Sequence, residues 1–315
     1  MSRLVLSREG ADPPPVAAII DAHHHLWDIS QASYPWLQGP LEDPDDRRGI
    51  GPLQRNYLIA DYLDDTAGEP VIASVHVEAG RPLSDSLRET CWLESLSHDG
   101  NIPAALVAKV RLQDPDIGSR LSDQLAHPQV RGVRQMLNWK VALPPDAPHT
   151  AERGDLMEDP AWRSGLAKLR GLGLSFDLQV FPCQLRAASE LVASEPEISF
   201  VLEHGGYMSL RSEDDDALWR DGLQAMSRLA NVSVKISDYS TMDPSFDLNG
   251  YVEYVRRLID AFGPSRSMFA SNFPTEGRTV SYPDLVYAFS KATSHLSGSE
   301  REQVFSSTAA RVYRL

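Results

Sequence analysis

The sequence predicts an α/β protein: a single-domain (β/α)8 TIM barrel with an N-terminal arm and a long loop after the first strand. Three observations predict it. Short β-rich runs alternate eight times with longer stretches that read as helices, and a parallel return between strands needs such long connections. The alternation occupies about 300 of the 315 residues, which suits a closed barrel. Unusual polar residues recur at the carboxyl ends of the β-rich runs, the rim where a barrel builds its site. An open doubly wound sheet is the alternative, but no G-x-G-x-x-G or Walker-type glycine loop follows any run.

Residues 1–18, with Pro13-Pro14-Pro15, read as an arm, and 19–315 as the barrel. The first strand is the apolar lead Ile19-Ile20 running into Asp21-Ala22-His23-His24-His25. Strand alternation puts His23 and His25 on one face, with Asp21 one step behind, and His24 on the other. Residues 29–56 form a long irregular segment, read as a functional cover or as partly disordered, that holds the mixed-charge run Glu42 to Arg48. Its Tyr34 and Trp36 either wall a pocket or anchor the loop. Val71 to Glu78 is the second strand, followed by a helix from Leu83 to about Ser97. Ala104 to Val110 is the third, with a helix near 117–126. Val130 to Met136 is the fourth; a loop with Trp139, Pro144-Pro145 and His149 leads to a helix over 159–172. Leu174 to Phe181 is the fifth, stopped by Pro182, with a helix from Gln184 to Ser194. Ile198 to Glu203 runs into His204-Gly205-Gly206, before a helix over 213–229. Val232 to Ser237 precedes a helix over 249–262. Met268 to Ser271 ends at Asn272-Phe273-Pro274, and helices over 283–293 and 298–313 complete the chain.

A net charge of −14 argues against nucleic acid and anionic membranes as partners. The expected partner is a small-molecule substrate, with a homodimer the default assembly. Cys91 and Cys183 lie far apart without C-x-x-C spacing, so a reducing cytoplasm is expected rather than a disulfide framework. No apolar run approaches the ~18 residues of a membrane span, and no signal-peptide pattern opens the chain.

Polar groups gather at the strand ends: His23 and His25, His76 and Glu78, Arg134 and Gln135, Asp177 and Gln179, Glu203 and His204, Lys235 with Ser237 and Asp238, Ser271 and Asn272. Burying so many costly groups at one rim points to a site. His23, His25 and His204 are enough for a catalytic zinc with an open position. Arg134 suits a planar anion, because the guanidinium fork matches a carboxylate. Glu78 and Lys235 read either as substrate contacts or as structural ion-pair partners. His98, His127, His149 and His295 read as solvated.

Asp21-x-His23-x-His25, His204 and Ser271-Asn272-Phe273-Pro274 resemble the amidohydrolase superfamily. With Tyr34-Pro35-Trp36-Leu37, Gly132-Val133-Arg134, Phe176-Asp177-Leu178 and Lys235-Ile236-Ser237, the chain is similar to its amidohydrolase-2 group. Within that group it looks like the branch containing sugar-acid lactonases and 2-pyrone-4,6-dicarboxylate lactonase. The resemblance implies water attack on the carbonyl of a small lactone or related ester or amide. The histidines would polarise that carbonyl, with or without a divalent metal. The sequence departs where the group carries its base: the strand-8 residue is Asn272, an amide with no useful basicity. Asp238, Glu276, Glu78 or a neutral histidine would then supply the base, with Asn272 orienting water or substrate. Metal-free operation is favoured over zinc on the same ground. The rivals are a carbon–carbon lyase or decarboxylase on the same rim, and a binding protein with a dead site.

Overall fold

The computed structural model describes residues 4, 6, 13–40, 49–96, 102–139, 151–208 and 213–315. The run Glu42–Arg48, His98, Pro144-Pro145, His149 and most of the 1–18 arm lie outside the described residues. Eight strands stand in one sheet in sequence order: β1 (Ile19–His24), β2 (Val71–Val77), β3 (Ala105–Lys109), β4 (Val130–Met136), β5 (Ser175–Gln179), β6 (Ser199–Leu202), β7 (Val232–Ile236) and β8 (Ser267–Phe269). Each pairs in parallel with the next. The seam between β8 and β1 is joined just past β8, where Asn272 N–H donates to the His23 carbonyl at 2.7 Å and His25 N–H to the Phe273 carbonyl at 2.8 Å. The barrel expectation therefore holds, with two functional candidates stitched into its closure.

The connecting helices are α1 (Ile59–Asp65), α2 (Ser86–Leu96), α3 (Ile117–Leu125), α4 (Pro160–Ala167), α5 (Leu185–Ala193), α6 (Glu213–Ser227) and α7 (Leu248–Phe262), with α8 (Tyr282–Ala292) after β8. The helix α1 does not stand out in the sequence: it is seven residues long and buries only Tyr62. Asp61 starts it by accepting from Leu58 N–H at 2.8 Å. Elsewhere the start signals match their physics. Asp159 accepts from Ala161 N–H at 2.7 Å with Pro160 in the first turn of α4, and Ser281 caps α8.

The core has two parts. A large cluster joins the helices to the strands' outer faces. A smaller one, with Ile20, Ala22, Val75, Val107, Val201 and Met268, takes in Tyr313 from the C-terminal helical turn. Tyr313 donates to Asp177 Oδ2 at 2.8 Å. Both faces of each strand are thus covered, which is why the strands read as near-continuous apolar runs. In β1 the pairing register shifts between Asp21 and His24. Asp21 consequently faces the helices, accepting from Tyr62 of α1 at 2.8 Å and from Ser271 Oγ at 2.5 Å. The expected place one step behind His23 is overturned by this irregularity, which re-aims side chains within a strand.

Candidate active site

The site lies over the carboxyl ends of the strands, around a cavity of about 320 Å³ lined by His25, Trp36, Glu78, Arg134, His204, Asp238 and Asn272 among others. Two local devices aim the histidines, of which His25 and His204 line the cavity. The register shift in β1 leaves His23 and His25 with their Nε2 atoms 3.2 Å apart. His204 follows β6 in a run of left-handed residues, with φ of 53° at His204, 56° at Gly205, 74° at Gly206 and 56° at Tyr207. Held strain of this kind clusters at functional sites. His204 Nδ1 meets Ser237 Oγ at 2.8 Å, which leaves Nε2 for a ligand.

Burial keeps all three imidazoles neutral. His23 is held well below its usual range by burial, against the pull of Glu203. Burial and Arg134 bring His25 to about 4, and burial lowers His204. Neutrality fixes the protons. His25 Nδ1 lies 2.8 Å from the Val77 carbonyl, an acceptor only, so its proton sits there and Nε2 carries a lone pair. His23 Nδ1 lies 3.1 Å from Glu203 Oε1. Burial favours a neutral Glu203, but Arg134, His23 and Lys235 outweigh it and hold that carboxyl well below its usual range. Glu203 is therefore an acceptor, and His23 Nε2 also carries a lone pair. Two lone pairs 3.2 Å apart repel unless a cation stands between them. At zinc–nitrogen bonds of about 2.0–2.1 Å, two tetrahedral ligands sit about that far apart. His23, Glu203 and His204 also offer ligand atoms all within 4.8 Å of one another. The residues fit a divalent metal, and the expectation of metal-free operation finds no support.

Beneath the histidines lies a saturated charge network. Arg134 donates Nε to Glu78 Oε1 at 2.9 Å, Nη1 to Glu203 Oε2 at 2.8 Å and Gln179 Oε1 at 3.2 Å, and Nη2 to the Glu78 carbonyl at 2.7 Å. Nη2 also stands 2.7 Å from Glu78 Oε1. Every donor of the fork has an acceptor, so Arg134 is not the open anion clamp expected of it. Glu78 is equally engaged: burial opposes its charge, but Arg134 and Lys109 prevail. Lys235 is fully buried between Asp177 at 2.6 Å and Glu203 at 3.2 Å and does not line the cavity. The expected substrate contact from Lys235 is thus replaced by an ion pair.

Two loop aromatics divide the roles left open for them. Tyr34 is fully buried and takes a hydrogen bond from Arg81 Nε at 2.8 Å, anchoring the loop away from the cavity. Trp36 lines the cavity while donating Nε1 to the Ala79 carbonyl at 2.9 Å. It lies across Gly80, where φ is +83° and a Cβ would come within 2.7 Å of the indole nitrogen. Glu276 turns away from the rim: both its oxygens are bonded to Ser240, at 3.0 Å to the backbone N–H and 2.9 Å to Oγ. It does not reach back over the cavity. Burial and the nearby Asp238 push it up to about 8.

The pair that does face the cavity is Asp238 and Asn272. Both are left-handed, with φ of 59° and 53°, a conformation Asp and Asn tolerate best among residues with a Cβ. Asn272 Nδ2 donates to Asp238 Oδ1 at 2.8 Å, and Thr241 Oγ1 donates to the same oxygen at 2.8 Å. Asp238 Oδ2 has no hydrogen-bond partner among the described residues. Sequence reasoning missed the central place of Glu203, and it missed Lys109 and Arg278 in the cavity lining. Glu203 stood beside His204 at a strand end and was readable there; Arg278 lies in a loop turn with no such signal.

The amidohydrolase family model matches residues 20–315, and the chain belongs to that family of hydrolases. Uncharacterized protein y4mH of Sinorhizobium fredii is 32% identical over 299 residues, spanning 95% of this chain and 99% of that protein. L-fucono-1,5-lactonase of Burkholderia multivorans is 29% identical over 309 residues, spanning 94% and 96%. Among solved structures, an amidohydrolase from Burkholderia multivorans with bound zinc superposes with a TM-score of 0.79 at 27% identity, over 95% of this chain and 100% of that one. A putative 2-pyrone-4,6-dicarboxylic acid hydrolase from Pseudomonas putida shares the fold, with a TM-score of 0.70 at 18% identity over 95% and 98%. The chain is an enzyme, with lactonases among its relatives. No helix among the described residues is long and apolar enough to cross a membrane.

Proposed function

We propose that this enzyme opens a small sugar-acid lactone by attack of water on its carbonyl. The observation that carries the reading is Asp238, tied by Asn272 and lining one cavity with His25 and His204. A divalent cation held by His23, His25 and His204 would polarise the carbonyl and make its bound water more acidic. The chain's own residues do the rest. Asn272 and Thr241 fix Asp238 Oδ1, leaving Oδ2 to take the proton of the attacking water. Asp238 returns that proton to the departing ring oxygen, giving a hydroxy acid. Asn272 orients and takes no proton. Arg134 and Lys235 help keep Glu203 ionised, and burial, with Lys235 adding to it, keeps His23 neutral. Lys109 and Arg278 line the cavity, where their positive charge would favour the carboxylate that ring opening creates. The likeness to L-fucono-1,5-lactonase supports a 1,5-lactone of a deoxy-sugar acid as the first substrate to test. Two exposed, unbridged cysteines are consistent with a cytoplasmic enzyme.

The test is incubation with L-fucono-1,5-lactone and related aldonolactones in H₂¹⁸O. One labelled oxygen in the product carboxylate, with no carbon dioxide, is expected. Release of carbon dioxide or a carbon fragment would indicate the lyase. Ligand-induced thermal stabilisation without turnover would indicate a binding protein.

A further inference from the structure

A second constellation of reactive groups lies outside the cavity, on the outer helices. Cys91 is exposed in the middle of α2, and Glu94 follows it by one turn on the same helix face. His127 comes from the turn between α3 and β4, where its N–H is bonded to the Gln124 carbonyl at 3.1 Å and its carbonyl accepts from Val130 at 3.0 Å. His127 Nδ1 lies 2.7 Å from Glu94 Oε2, and its Nε2 lies 3.8 Å from Cys91 Sγ. A carboxylate oxygen only accepts, so Nδ1 carries the ring proton and Nε2 presents a lone pair to the thiol. The three groups stand in the order nucleophile, base and orienting carboxylate. A purely structural Glu94–His127 pair would not require a thiol on the other nitrogen.

We propose that Cys91 is an activated thiol and the site at which this protein forms mixed disulfides with low-molecular-weight disulfides. The thiol proton moves to His127 Nε2, and Glu94 stabilises the resulting imidazolium. The Cys91 sulfur attacks one sulfur of the small disulfide, whose S–S bond breaks as the new one forms. The departing thiolate takes the proton from His127. Cys91 is oxidised, one half of the small disulfide is reduced to a thiol, and no other oxidant is needed.

Cys183 provides an internal control. It is also exposed, its sulfur donates to the Trp139 carbonyl at 3.7 Å, and it takes no part in the Cys91–His127–Glu94 contacts. The protein is reacted at pH 7 with 5,5′-dithiobis(2-nitrobenzoate) and, separately, with glutathione disulfide, with labelled sites assigned by peptide mass mapping. His127→Gln should bring the Cys91 rate down about tenfold or more, as loss of general-base assistance requires, Glu94→Gln by less, and neither should move the Cys183 rate. An unchanged Cys183 rate also reports that the variants are folded. An unaltered Cys91 rate in His127→Gln would overturn the proposal.

Discussion

The two sets of charged groups near the histidines behave in opposite ways. Below them, Arg134, Lys235, Glu78, Glu203 and Asp177 consume one another's hydrogen-bonding capacity and are almost wholly buried. Beside the cavity, Asp238 is held at one oxygen and open at the other. The difference teaches that a charged residue at a strand end is not thereby a substrate contact. A saturated group sets the state of its neighbours; an unsaturated one can exchange a proton.

The floor is sensitive to the loss of any member. Lys235→Met leaves Asp177 and Glu203 buried around an uncompensated gap, and breaking such a pair costs about 3–5 kcal/mol. Thermal unfolding should show a large fall in Tm, with Arg134→Met similar; a Tm within a degree or two of wild type would show that the floor is not a coupled unit. The cavity wall should lose activity instead. Asn272→Ala releases the Asp238 oxygen that Asn272 holds, so kcat should fall about tenfold or more, while Tm falls by less than in the floor variants. Steady-state kinetics beside a melting curve separates the two regions.

The smallest effect belongs to Glu276, behind the wall. Its folded form keeps the proton up to about 8, whereas an unfolded glutamate loses it near 4.5. Wild-type stability attributable to this carboxyl is therefore present below about 4.5 and is lost as pH rises through about 8. Glu276→Gln has no such loss. Its Tm relative to wild type should climb between pH 5 and pH 9, with kcat altered less than about threefold, because the group does not reach the cavity. A flat Tm difference across that range would place the Glu276 proton elsewhere.

The barrel was legible in the sequence because parallel strands covered on both faces leave apolar runs, and because polar residues at their ends follow from where a barrel opens. The histidines and Asp238 were legible for the same reason. What could not be read was pairing across the barrel. Arg134 looks like a free clamp until Glu78, Gln179 and Glu203 are seen to converge on it from β2, β5 and β6. Lys235 meets Asp177 over a sequence separation of 58 residues. Asp21 changed face through a register shift that no alternation rule contains. The turn after Asn272 gave no sign that Glu276 would aim at Ser240.

The central claim is that the carboxylate that activates water has moved from the end of β8 to the end of β7. The most direct measurement is kcat/KM for lactone opening by Asp238→Asn and by the exchange variant Asp238→Asn with Asn272→Asp. Asp238→Asn is expected to lose about 10²-fold or more with an unchanged Tm, and the exchange variant, whose carboxylate returns to the end of β8, to recover at least tenfold of that loss. An Asp238→Asn enzyme as active as wild type would contradict the account.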